Sequence, residues 1–174
     1  MKKRILTLLV MTTMFSLQVI NGQTTFFVTE LGQGTKDGSS WQNASDNLTS
    51  ITSEAQPGDT VWVAQGTYQG GFVMKEGISV FGGFSGNETC LNERKLPGTN
   101  QNLTILDGNN NFRVLSQNDA FTTTTIWDGF VIQNGVSQMG AGVLVQKGGV
   151  LRRCIIRNNN AGLPAIGEYS STEG

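Results

Sequence analysis

The chain has no histidine, only three prolines and two cysteines, and just 14% charged residues among its 174. Without histidine it lacks the commonest general base near neutral pH and the commonest metal ligand. With a formal net charge of −1 and no concentrated basic surface, nucleic acid is not an expected partner. The small charge content also argues against a disordered, solvating tail. The apolar run Ile5–Ile20 is softened by Thr and Ser, and it is too short to favour crossing a hydrocarbon core of about 30 Å. Apolar residues make up 37% of the chain, enough for one core, and glycine is plentiful at 23 residues.

That first apolar run has a second reading. Lys2-Lys3-Arg4 precede it, and Asn21-Gly22-Gln23 follow it with a small residue at a plausible cleavage point. A basic head, an apolar middle and a small-residue end make a secretory signal peptide over residues 1–22, leaving no transmembrane span after its removal. Residues 23–58 read as an N-terminal cap. Thr25–Thr29 is strand-like, residues 32–41 are dense in Gly and Ser turns, and Asn43–Ala55 is the one helical candidate. Leu48, Ile51 and Ala55 share one face of it, while its Thr and Ser content lowers intrinsic helicity, so it should form by docking. Pro57-Gly58-Asp59 ends it.

From Asp59 onward one frame recurs. Val61-x-Val63, Ile78-x-Val80, Leu103-x-Ile105, Phe130-x-Ile132 and Cys154-x-Ile156 are each followed by a turn residue. Shorter apolar pairs lie between them, at Phe72/Met74, Phe112/Val114 and Val143/Val145. A loosely fixed period of this kind marks stacked repeats. The copies are too far apart for hairpins, so they are expected to be parallel neighbours reached by one lap of chain each. The predicted fold over residues 59–174 is all-β, a right-handed parallel β-helix with a short N-terminal capping helix. The five frame pairs would make one inner stack, and Asp107, Asn134 and Asn158 would share a corner as a turn ladder. An all-β sandwich with scattered Asn turns is the alternative.

The segments Gly58–Tyr68, Val80–Thr89 and Asp128–Gly135 resemble secreted bacterial right-handed β-helix proteins of pectin-lyase-like architecture, of the Bacteroidetes surface-protein type. Gly140-Ala141-Gly142-Val143 with Ile155-Ile156-Arg157-Asn158 is more distantly similar to the repeats of polymorphic outer-membrane proteins. The resemblance implies architecture more than activity, because such proteins include adhesins, lyases and hydrolases. Members usually run to several hundred residues, so this chain, which stops within a lap begun near Ala165-Ile166, is expected to be an N-terminal portion.

Enzymes of that architecture work on the outer face of the main strands. In the sequence frame that face carries Thr60, Trp62, Ala64, Gly77, Ser79, Phe81, Asn102, Thr104, Leu106, Gly129, Val131, Gln133, Arg153, Ile155 and Arg157, with no carboxylate among them. Glycoside hydrolysis normally needs two carboxyl groups, and a lyase needs a base. No catalytic residue, metal or cofactor is therefore expected in this segment. Asp59, Asp107 and Asp128 read as turn caps. Trp62 and Phe81, with Trp41, could form a sugar platform or pack beneath the cap. Arg153 and Arg157 could hold an anionic sugar or simply be solvated. Cys154 occupies the inward position of Phe130 one lap earlier and should be a buried free thiol, although export would permit a bond to Cys90. Sequon-like triplets such as Asn47-Leu48-Thr49 read as chance. The functional expectation is an exported, cell-surface or secreted protein with a structural or adhesive role, partnered by extracellular polysaccharide or a cell-surface glycan. The alternative is the first part of a polysaccharide lyase or glycoside hydrolase whose catalytic residues lie past residue 174.

Overall fold

The computed structural model describes residues 22–99 and 101–162. The signal peptide read over residues 1–22 falls almost wholly outside them, as does the lap expected from Ala165. In chain order the elements are β1 (Thr25–Val28), α1 (Leu48–Glu54), β2 (Thr60–Ala64), β3 (Gly66–Gln69), β4 (Phe72–Val73), β5 (Ser79–Phe84), β6 (Thr104–Asp107) and β7 (Leu115–Ser116). They continue as β8 (Thr125–Asp128), β9 (Phe130–Gln133), β10 (Val136–Ser137), β11 (Val143–Leu144), β12 (Gly149–Arg152), β13 (Ile155–Arg157) and β14 (Asn160–Ala161). Trp41–Asn43 and Leu91–Glu93 are single 3-10 turns. Among the described residues the regular structure is thus mostly strand, with one short α-helix. Among the described residues no helix is long and apolar enough to cross a membrane.

Every strand pair is parallel. The first sheet has the order β1-β2-β5-β8-β12, the second β3-β6-β9-β13 and the third β4-β7-β11, with β10-β14 as a small fourth. From β2 to β9 the chain visits first, second and third sheets in turn and then starts again; β10 is interposed before β11 and β12 resume the order. Parallel pairing cannot be made by a hairpin: β1 reaches β2 by way of the 3-10 turn and α1, and from β2 onward each strand meets its next partner only after a crossover through the other sheets.

In-register pairing stacks like side chains. Phe26, Val61, Val80, Trp127 and Leu151 form one inward row of the first sheet. Tyr68, Leu106, Ile132 and Ile156 form one in the second, and Phe72, Leu115 and Val143 one in the third. Apart from Ile156, exposed at the end of the second row, the three rows meet in a single core, where Trp127 lies 5.4 Å from Phe130 and 6.4 Å from Phe72 by ring centroids. Trp127 Nε1–H has no hydrogen-bond partner among the described residues, a cost that the burial of so large a ring outweighs. The helix joins this core through Leu48, Ile51 and Ala55, the face expected from sequence. It starts at Asn47, whose side chain accepts from Ser50 N–H at 2.9 Å. Thr52 and Ser53 turn their hydroxyls back onto the helix's own carbonyls, so the helix is held by docking more than by propensity. It is shorter than residues 43–55, because Trp41–Asn43 forms the separate 3-10 turn.

The five frame strands do not make one stack. Val61/Val63 and Ile78/Val80 belong to the first sheet and point inward as expected, but the next three copies belong to the second. Each passage through the three sheets contains two strands that enter polar corners, and the frame could not tell them apart. Within the second sheet Phe130 and Ile132 are inward, whereas Leu103/Ile105 is misplaced by one residue. Thr104 and Leu106 are fully buried in their place. A threonine can sit there because its hydroxyl accepts from Gly83 N–H at 2.8 Å and donates towards the Ala64 carbonyl at 3.2 Å. Phe112 is similarly displaced: it is exposed, and Leu115 takes the position opposite Phe72. Cys154 is half-buried and Ile156 is exposed.

This register has a direct test. Leu106→Ala should cost about 2–5 kcal/mol in urea unfolding, the range for emptying a buried leucine site, while Ile105→Ala should cost about 1 kcal/mol or less. The reverse ranking would contradict the assignment of the inward row.

Candidate functional site

The outward row of the first sheet runs Phe27, Trp62, Phe81, Asp128, Arg152 in strict register. It passes from aromatic to charged across the sheet. At the aromatic end Trp62 stacks on Phe84 at 4.7 Å and 9°, and Phe27 meets Trp41 edge-on at 4.8 Å. A register shift between Trp62 and Ala64 brings Phe84 round to this face. The segment 85–95 lies against it, anchored where Lys95 N–H donates to the Gly83 carbonyl at 2.7 Å. Gly83 has φ 97°, and a Cβ there would run into the Lys95 carbonyl, so only glycine allows this approach.

Glu88 fastens the same segment. Its carboxylate accepts from Ser85 N–H at 2.6 Å, Ser85 Oγ at 2.8 Å and Gly86 N–H at 3.0 Å, while its carbonyl accepts from Trp41 Nε1 at 2.9 Å. Burial pushes this carboxyl's pKa upward, but the bonds from Ser85, from its own amide and from Asn87 outweigh it and hold the group below the ordinary glutamate value. Trp62 and Phe81 are half-buried in this cluster: Phe27 and Trp41 of the cap pack on Trp62, as the cap-packing alternative had it, while Phe81 is covered by Arg94 of the segment 85–95, which sequence did not place there.

At the charged end Asp128 is 1% exposed and takes two arginines. Arg94 Nη2 lies 3.3 Å from its Oδ1; Arg153 donates from Nε to Oδ1 at 2.9 Å and from Nη2 to Oδ2. Arg94 also donates to the carbonyls of Gly82 (3.1 Å) and Asp128 (3.2 Å) and lies 5.1 Å over the Phe81 ring. Asp128 is therefore an ion-pair centre and not the turn cap expected from sequence. Two guanidinium groups face one carboxylate, leaving one positive charge beside a cleft of 170 Å³ lined by Leu91, Asn92, Arg94, Leu96 and Arg153. Arg94 carried no signal in the sequence, since it falls in a polar loop outside every repeat.

The second sheet has its own outward row, Gln69, Asp107, Gln133, Arg157. Asp107 accepts from Asn109 N–H, Gln133 Nε2 and Asn134 Nδ2 at 2.8, 2.9 and 2.8 Å. Burial raises its pKa, but these donors more than offset that and keep it lowered. Arg157 Nε donates to Gln133 Oε1 at 3.0 Å. The expected ladder of Asp107, Asn134 and Asn158 is thus revised. Asp107 lies opposite Gln133 and reaches Asn134 from one position earlier. Asn134 and Asn158 occupy equivalent left-handed turns at φ 55° and 54°, and the next amide in the ladder is Asn159, which bonds the Ile132 carbonyl and Gly135 N–H. The run of three asparagines at 158–160 was the available signal for it. Asp59 does cap a turn, accepting from Thr24 and Gln56 N–H.

Both outward carboxylates were missing from the face expected by sequence. Asp107 moves onto it with the one-residue shift of β6, and Asp128 lies in β8, a strand the frame skipped. Each is engaged by donors of the fold, Asp107 by Asn109, Gln133 and Asn134, and Asp128 by Arg94 and Arg153. Among the described residues no three Cys, Asp or Glu side chains converge, and both cysteines are free, with burial raising the Cys154 thiol pKa. Arg152, Arg153 and Arg157 remain exposed, on and between the neighbouring strands β12 and β13.

Comparison with protein-family models, curated proteins and solved structures gives no match.

Two predictions test this face. Asp128→Asn leaves Arg94 buried without its counter-charge and should cost about 3–5 kcal/mol in denaturant unfolding. Arg153→Ala, whose side chain is half in water, should cost about 1 kcal/mol or less; equal costs would refute the central place of Asp128. For Glu88, a carboxyl whose pKa is depressed on folding contributes stability above its unfolded value and loses it as pH falls through the folded value. The stability gap between wild type and Glu88→Gln should narrow as pH drops from about 6 to about 3, and a constant gap would contradict the assignment.

Proposed function

We propose that this chain is an exported right-handed parallel β-helix with a structural and adhesive role, whose outer face holds an acidic extracellular glycan. The cyclic return of the chain to the same three parallel sheets supports the helical path, and right-handed crossovers are the general rule. The helix α1, with Leu48, Ile51 and Ala55 in the core, is read as the cover of the first lap. Export rests on Lys2-Lys3-Arg4 and the apolar run behind them. This reading also agrees with the resemblance to secreted bacterial β-helix proteins.

The observation that carries the binding role is the exposed group Arg152, Arg153 and Arg157 beside carboxylates already engaged in the fold. Guanidinium groups set around one corner of the fold, Arg152 on the first sheet, Arg153 in the turn and Arg157 on the second sheet, suit the repeated carboxylates of a uronate polymer. Arg153 is fixed by Asp128, so Arg152 and Arg157 have the greater freedom to meet a ligand.

Calorimetric titration with polygalacturonate and with neutral dextran tests this. The acidic polymer should bind, binding should weaken as salt rises, and Arg152→Ala with Arg157→Ala should lower affinity by about tenfold or more. Equal binding of both polymers, or none, would overturn the proposal. Release of unsaturated or reducing ends from the acidic polymer would instead favour the lyase or hydrolase reading.

A further inference from the structure

A roomier cleft, 390 Å³, lies away from both outward rows, between α1, the end of β4 and the loop after β7. Its size falls within the range of small-ligand sites, about 300–1,000 Å³. The apolar part of its lining is Val73, Met74 and the half-buried ring of Phe121. Around these stand Thr49, Asn118 and Asp119, which take part in the fold through backbone carbonyls while their side-chain groups have no partner among the described residues. Lys75 is steadied at the wall by donating to the Ser53 carbonyl at 2.6 Å, with two ammonium hydrogens left over.

The loop wall is held in place by two side chains, Gln117 and Glu76. Gln117, fully buried, donates to the carbonyls of Asp119 at 2.7 Å and Lys147 at 2.9 Å. Glu76 accepts from Thr122 N–H and Thr123 N–H at 2.6 and 2.7 Å. Both sides of Phe121 are therefore fixed before any ligand arrives, which lowers the ordering cost of binding.

From this lining the geometry points to a binding site for one neutral pyranose unit of a glycan. An apolar ligand would leave the amide, hydroxyl and carboxylate without partners, at a cost. An anion would meet Asp119 and Glu76, and a cation would meet Lys75. An uncharged ring with one apolar face and hydroxyls that both donate and accept suits this lining: its face lies on Phe121 and exposed Val73, its hydroxyls on Asn118, Asp119 and Lys75. The site is separate from the arginine face and does not require that face to bind anything.

The test uses the whole chain on an array of neutral cello-, malto-, manno- and galacto-oligosaccharides, followed by calorimetry with the series that binds. Wild type should bind at least one series. Asn118→Ala and Asp119→Ala, both at exposed positions, should each weaken it by about five- to tenfold, the effect of losing one or two hydrogen bonds. Phe121→Leu, which keeps apolar bulk in the wall but removes the ring, should weaken it as well, with an unchanged thermal midpoint showing that the fold survives. Arg152→Ala with Arg157→Ala should leave this binding unaltered. No binding to any series overturns the inference. So does binding that survives Asn118→Ala and Asp119→Ala, or binding that is lost with the two arginines, which would place the sugar on the outer face instead.

Discussion

The structure depends on parallel backbone hydrogen bonding between strands that are far apart in sequence. That ladder fixes register, and register decides which side chains stack on which. Once Val61 is opposite Val80 and Val80 opposite Trp127, the residues beside them, Trp62, Phe81 and Asp128, must form a row on the other side. The inward rows supply the apolar burial. The outward rows inherit whatever polarity the same strands carry, with little freedom to rearrange.

That constraint explains how the outward face of the first sheet is managed. A row that begins with Phe27, Trp62 and Phe81 would expose a large apolar patch if left bare. The segment 85–95 lies over it, and three separate fastenings hold that segment: Gly83 against Lys95, Glu88 with the Ser85 turn and Trp41, and Arg94 with Asp128. Asp128 therefore joins the covering loop, through Arg94, to the turn before β13, through Arg153. Of the arginines left in water, Arg152 is the next residue of this row, Arg153 follows it in the turn, and Arg157 belongs to the outward row of the second sheet.

Much of this was legible from residue pattern. The strands at Val61–Val63, Ile78–Val80 and Phe130–Ile132, their parallel pairing, and the buried face of the helix all follow from period and spacing. The failures have physical causes. Thr104 hides in an inward row because a bonded hydroxyl is tolerated where an apolar side chain was sought, and this shifts β6 by one residue. The division of the frame strands between two sheets is invisible to a motif that marks only apolar alternation before a turn. Arg94 and Glu88 act from irregular loops, where contacts arise from tertiary folding and leave no periodic trace. The cleft beside α1 is assembled from three segments far apart in the chain, so no local pattern announces it. Asn159 was missed by one position, since Asn158 satisfies the turn rule equally well.

The most direct test of the cyclic parallel path is the inter-strand proton contacts of the labelled chain in solution by NMR. The account predicts parallel-sheet contacts linking Thr67 to Ile105, Ile105 to Val131 and Val131 to Ile155, in that order and in one direction. Antiparallel contacts between strands adjacent in sequence, such as β5 with β6 or β8 with β9, would show a hairpin-built sandwich and contradict it.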